Sequence, residues 1–346
     1  MNWKEITTLK QVEEFQVQPE RLFFSADHDE IRSGVTTDIY FIRTLEILSH
    51  LGLSDTEVVA EVFGRREGIL AGVEEVKNLL KEKPVQVWSL PEGAPFKAKE
   101  VVMRIQGPYS QFGAFETVLL GMLASSSGWA TAARAAKEAA GDKPVICFGA
   151  RHVHPAVAPV MERAALVGGC DGASCILGAK LVGREPQGTV PHAVFLIVGD
   201  TVETAKAYHQ WMPANAKRVI LVDTFKDEAE EALRLAHALG EALDGIRLDT
   251  PSERGGVTPD LVREIRFRLD AQGFHRVGIF VSGGLSPERI SILSEAGASA
   301  FGVGSYISGA APIDMTMDLK MVNGQPIAKR GRLPGLTASE RLIRIL

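Results

Sequence analysis

Cysteine is nearly absent: Cys147, Cys170 and Cys175 are the only three in 346 residues. An odd set without a CxxC pair excludes a disulfide framework and offers no zinc spacing, so no zinc and a reducing, cytoplasmic compartment are expected. Long hydrophobic runs are missing too. No segment approaches the roughly 18 apolar residues that span a bilayer, and the opening MNWKEITTLKQVEEF lacks a basic-then-apolar leader. A soluble protein with no membrane partner is the expectation. Nor is there an excess of one charge: 38 Lys and Arg face 43 Asp and Glu, a net charge of -5. No global field draws nucleic acid, so any anionic ligand must be held locally. What is abundant is apolar material, 45% of the chain, which excludes disorder and suits about two domains.

Two textures divide the sequence. Residues 1–107 read as an N-terminal α+β domain: a short strand over Leu22 to Ala26, a helix over Asp38 to Leu51, a second over Glu67 to Lys81, and strands over Val85 to Leu90 and Glu100 to Ile105. The Ala-, Leu- and Met-rich stretch Phe112 to Ala140 predicts one or two buried helices. From Pro144 a strand, a Gly- or Asp-bearing loop and an amphipathic helix recur at intervals of roughly 25 to 30 residues. The strands are Val145 to Phe148, Gly172 to Ile176, a piece near Thr189, Val219 to Val222, Ile246 to Leu248, Val277 to Val281 and Ala300 to Val303. Six or seven such units predict a parallel, irregular α/β barrel over residues 108–311. Residues 312–346 form a tail expected to return toward the N-terminal domain.

In parallel βα architectures ligands meet the loops at the C-terminal strand ends. Those loops are polar here. Ser282-Gly283-Gly284 and Gly302-Val303-Gly304 are successive glycine-bearing turns, which favour a phosphate held by backbone N–H groups over turns that are merely tight. Asp171, Asp223 and Asp249 lie near strand ends, where they could hold magnesium or sugar hydroxyls, or serve as caps. Arg247 and Asp249 alternate along one strand and so point the same way. His192 follows Thr189, Val190 and Pro191 in a loop facing acids, although a lone histidine is more often packed. Arg151, His152 and His154 could clamp a carboxylate or pyrophosphate, or remain solvated.

Together these segments resemble the nicotinate phosphoribosyltransferase family. The motifs are TTDIYF at Thr36 to Phe41, CFGARHVHP at Cys147 to Pro155, GGCDGASCILGAKL at Gly168 to Leu181, GTVPHA at Gly188 to Ala193, VDTF at Val222 to Phe225, RLD at Arg247 to Asp249, VSGGL at Val281 to Leu285 and FGVGSYI at Phe301 to Ile307. The resemblance implies phosphoribosyl transfer from phosphoribosyl pyrophosphate to nicotinate with magnesium, coupled to ATP in a ligase-type enzyme of NAD biosynthesis. It implies that His192 is a phosphohistidine beside Asp223, with Asp249 on the ribose hydroxyls. Arg151, His152, Asp171, Thr189 and Arg247 would hold substrate, and Gly283, Gly284, Gly302 and Gly304 the 5-phosphate. Magnesium would be bound through the phosphates with Asp223 or Asp249. Tyr40 would stack on the pyridine from a neighbouring subunit of a homodimer or higher oligomer. Many relatives carry a second arginine where His152 stands.

Three other readings compete. Quinolinate phosphoribosyltransferase shares the two-domain plan and decarboxylates its substrate, but the GTVPHA histidine and the long tail weigh against it. An aldolase-type lyase needs a Schiff-base lysine at a strand end, and Lys180 and Lys226 are poorly placed. A non-catalytic nucleotide-binding protein would have no call on His192 and the aspartates.

Overall fold

The structure, a computed structural model, describes residues 5–346. Two compact units emerge, one running through Thr131 and resuming over Ala311–Leu346, the other Ala132–Ala310. The division falls within the long helix Glu116–Ala140, whereas the sequence texture changes near residue 107.

The first unit carries an antiparallel sheet. Glu57–Gly64 lies between Met315–Val322 and Val101–Pro108, and Gln86–Ser89 follows on the far side. Both edges are supplied by the tail, as Gln325–Pro326 and Ile343–Arg344. Alternation sets the core: along Val101–Pro108 the residues Met103, Ile105 and Gly107 are buried while Arg104 and Gln106 are less so. Leu70, Leu80, Phe112, Phe115 and Leu119 complete that core. The helix Ile39–His50 buries Phe41, Ile42 and Leu45 at helical spacing. Two expectations fail here. Leu22 to Ala26 is not a strand, because Leu22 and Phe24 are 86% and 97% exposed with no strand beside them. The second helix begins only at Val73, after the two-residue strand Gly68–Ile69.

In the second unit six parallel strands form one sheet: β1 (Val145–Cys147), β2 (Gly172–Ala173), β3 (Val219–Leu221), β4 (Gly245–Leu248), β5 (Gly278–Ser282) and β6 (Ala300–Val303). Their order is β2-β1-β6-β5-β4-β3. The first and last strands pair, so the sheet curls as an α/β barrel does. Only β2 and β3 lack a mutual ladder. The strands are short apolar runs because the fold buries both faces; Ile146, Ile220, Ile246, Ile279 and Phe301 are all buried. Helices flank them, and some are capped by their own sequence. Asp227 caps Glu228–Leu239 by accepting from the N–H of Ala229 and Glu230, and Ser286 caps Pro287–Glu295 with proline at the first turn. The strand expected near Thr189 does not form. That segment holds Gly183, Pro186, Gly188 and Pro191, and proline cannot donate to a ladder.

Candidate active site

A cleft of about 410 Å3 opens within the second unit, lined by the loops that follow the parallel strands. Arg247, on β4, is its central cation. Its Nε donates to Ser282 Oγ at 2.8 Å, one Nη to Thr189 Oγ1 at 2.7 Å and the other to Asp249 Oδ2 at 3.3 Å. The guanidinium also lies 5.1 Å from the centre of the Phe148 ring. Residues two apart on a strand share a face, which is why Arg247 and Asp249 meet. Burial lowers the Arg247 pKa, with Asp249 and Asp223 pulling the other way. Ser282 returns the connection by donating to Asp249 Oδ1 at 2.9 Å.

The glycines divide by what surrounds them. Gly283 and Gly284 have φ of +93° and +59°, a left-handed backbone that L side chains rarely adopt. A Cβ on Gly283 would come 3.2 Å from Asp249 Oδ1, whereas one on Gly284 would meet open space. Gly302 has another cause: its Cβ would stand 2.5 Å from the Phe148 ring, so the absent side chain accommodates the aromatic under Arg247. At Gly304 a Cβ would stand 2.7 Å from His152 Cε1. His152 is fixed there by Nδ1 with Ser308 Oγ at 3.0 Å, and burial, then Arg151, lowers its pKa.

His192 opens the helix His192–Val198 and lines the cleft. Its Nε2 lies 3.1 Å from Asp223 Oδ2. The Asp223 side chain is only 2% exposed, and burial raises its pKa against the opposing pull of His192. Asp223 Oδ1 and the neighbouring Thr224 Oγ1 are buried and have no hydrogen-bond partner. No group of three His, Cys, Asp or Glu side chains among the described residues is arranged to hold a metal ion.

One expected site residue lies elsewhere. Asp171 stands before β2, at the strand end away from the loops, where Oδ2 accepts from Lys137 Nζ at 2.9 Å and from the Val145 N–H at 2.8 Å. It fastens the start of β1 and does not line the cleft. Tyr40 belongs to the first unit, 54% exposed, with its ring 4.2 Å from that of Phe41. Sequence reasoning gave no role to Phe148 and Ser174, which line the cleft, or to Glu162, a fully buried carboxylate behind it. The signal for Glu162 was an acid within the apolar helical run APVMERAAL.

Comparison with known proteins decides the family. The N-terminal domain of quinolinate phosphoribosyl transferase matches residues 38–127 and its C-terminal domain residues 129–318. The chain belongs to the quinolinate phosphoribosyl transferase family. A Pyrococcus furiosus structure named nicotinate-nucleotide pyrophosphorylase is 46% identical, with a TM-score of 0.87 over 91% of this chain and 82% of that one. A probable carboxylating nicotinate-nucleotide pyrophosphorylase of Methanothermobacter thermautotrophicus is 24% identical over 84% of this chain and 98% of its own length. A nicotinate phosphoribosyltransferase of Mycobacterium tuberculosis is 30% identical over 69% of this chain, which spans only 52% of that protein.

Membership in the quinolinate phosphoribosyl transferase family corrects the earlier resemblance. Nicotinate as acceptor, ATP as co-substrate, ligase-type coupling and a phosphohistidine at His192 all fall with it. Many of the motifs that carried the resemblance fall at Arg247, the glycine turns and the His192 loop, which line the cleft. The tail did not discriminate, since its strands are built into the sheet of the first unit.

Proposed function

We propose that this protein transfers the phosphoribosyl group of phosphoribosyl pyrophosphate to quinolinate, releasing pyrophosphate and carbon dioxide and leaving nicotinate mononucleotide. The match of both quinolinate phosphoribosyl transferase domains across residues 38–318 carries this reading. The cleft is chemically suited to it. Loss of pyrophosphate develops positive charge on the ribose, so the site must offer cations to the leaving group and a carboxylate near the sugar. Arg247, with Thr189 bonded to it, supplies the cation for the leaving group, and Arg151 and His152, on the turn after β1, meet the carboxylates of quinolinate. Asp249 faces the ribose hydroxyls, and the turns at Gly283, Gly284 and Gly304 offer N–H groups to the 5-phosphate.

Decarboxylation leaves an electron pair on the ring carbon that lost carbon dioxide, adjacent to the positively charged ring nitrogen. A proton must replace it. Asp223 engages His192 Nε2, which leaves Nδ1 as the nitrogen available to a ligand, and we assign that proton to His192. A cytoplasmic setting agrees with three free thiols, at Cys147, Cys170 and Cys175. Among the described residues no helix is long and apolar enough to cross a membrane.

The test is direct. Protein incubated with phosphoribosyl pyrophosphate, magnesium chloride and quinolinate labelled in its 2-carboxylate is expected to release labelled carbon dioxide and form nicotinate mononucleotide without ATP. Turnover of nicotinate in place of quinolinate, with or without ATP, would overturn the proposal.

A further inference from the structure

Glu162 lies on the helix Ala158–Gly168 with no exposed surface, and it does not line the cleft. Its two oxygens serve two different loops. Oε1 accepts from the Ala150 N–H at 3.2 Å and from Ser174 Oγ at 2.9 Å, and Oε2 accepts from the Cys175 N–H at 2.5 Å. Ala150 opens the turn that carries Arg151 and His152 after β1, and Ser174 follows β2. Arg151, His152 and Ser174 all line the cleft. A carboxylate behind them is costly to bury and is tolerated here because N–H and O–H donors from both loops converge on it. The helix Ile176–Lys180 packs close by: a Cβ on its Gly178 would stand 3.1 Å from Glu162 Cβ.

We infer that Glu162 is a positioning residue that ties the Arg151–His152 turn to the Ser174 loop and so sets the pyridine-carboxylate side of the cleft. Glu162 has no hydrogen bond to the glycine turns at Gly283 and Gly304; His152 packs against Gly304 and is held there by Ser308, so the phosphoribosyl side keeps an anchor that does not involve Glu162. This rests on the proposed transfer reaction, and two readouts keep the inference separable from it.

The variant is Glu162→Gln, which keeps the shape but sets an NH2 group against one of the donors. Hydrogen exchange followed by mass spectrometry reads the clamp without any turnover. Peptides containing Ala150 and Cys175 are expected to exchange about tenfold faster or more in the variant, while the peptide over Gly278–Ser282 is unchanged. Where the wild type turns over, the variant is expected to raise KM for the pyridine acid about tenfold, with KM for phosphoribosyl pyrophosphate held within about twofold. A merely structural role would lower the active fraction, and thus kcat, with both KM values intact. Should Glu162→Gln not fold, Ser174→Ala removes one donor from Oε1 and is expected to raise the same KM by a few fold. Unchanged exchange in both loops, or equal rises in the two KM values, would overturn the inference; a wild type inactive on quinolinate whose loops still loosen in the variant would overturn only the proposed reaction.

Discussion

Replacing Arg247 with Met keeps most of the side-chain volume and deletes the guanidinium, so the cost to folding and the cost to function can be weighed separately. Folding loses donors to Ser282 Oγ at 2.8 Å and to Thr189 Oγ1 at 2.7 Å. Ser282 retains Asp249 Oδ1 at 2.9 Å and the Leu248 carbonyl at 3.3 Å, so only Thr189 is left short. Asp249 loses a cation 3.3 Å away, but its side chain is 26% exposed and water takes up part of the charge. The fold also recovers the desolvation that lowers the Arg247 pKa. The balance is a loss of about 1–2 kcal/mol, or about 1–3 °C in Tm for a chain of this size. Function loses a charged contact to an anion in a partly desolvated cleft, about 2–5 kcal/mol, which is about 30-fold to several thousandfold in kcat/KM. The functional loss therefore wins. Differential scanning fluorimetry and a pyrophosphate-release assay measure the two sides. A folded Arg247→Met protein with kcat/KM within about threefold of wild type would refute the central role of Arg247. Arg247→Lys should not rescue, because one ammonium cannot reach Ser282, Thr189 and Asp249 together.

Gly283→Ala and Gly284→Ala both force a left-handed alanine, costing about 1–2 kcal/mol each, but only the first places a Cβ 3.2 Å from Asp249 Oδ1; thermal melts should match while Gly283→Ala loses the more activity, and equal activities would count against Asp249. Burial, with Asp318 adding to it, pushes the Glu116 carboxyl up to about 7. A raised carboxyl gives stability that is full at acid pH and lost as pH climbs through about 7, so Glu116→Gln should be about 1–3 kcal/mol more stable than wild type at pH 8 and gain little at pH 5; a gap that does not widen with pH would be contrary. The Asp223 carboxyl is also raised by burial, so the Tm of Asp223→Asn relative to wild type should increase from acid to neutral pH even as turnover falls, and a decrease would contradict the assignment.

Much of the barrel was legible because its signals are local. The spacing of Ala229, Ala232, Leu233, Ala236 and Leu239, with acids near the start, reads as a helix over Asp227 to Leu243; Glu228–Leu239 is helical with Asp227 as its cap, and it buries Leu235 where the spacing had Leu233. Arg247 and Asp249 share a face by strand periodicity alone, and they do meet. Asp171 shows the limit: a polar residue beside a short strand reads alike at either end, and only the ladder reveals which end faces the ligand. Leu22 to Ala26 shows another, since β propensity needs a partner strand to become structure. Acceptor identity was the least legible feature, because glycine turns and an arginine suited to phosphate say little about which pyridine would lie beside them.

The seam between β2 and β3 explains the layout of the cleft better than any motif does. With β6 paired to β1, every other neighbouring pair of strands is laddered, and the chain from Ser174 to Arg218 must cross the remaining gap. A strand there would commit each N–H and C=O of residues 182–191 to a ladder and send alternate side chains away from the cleft. Instead the segment makes one such bond, from the Gln187 N–H to the Ala173 carbonyl at 2.8 Å, and its prolines prevent more. Freed from alternation, Thr189, Val190, Pro191 and His192 all line the cleft, although they are consecutive. Thr189 then accepts from Arg247 on β4, and His192 pairs with Asp223 just after β3. Side chains thus bridge, across the seam, what backbone hydrogen bonds do not, and the same side chains are the ones placed to meet a ligand.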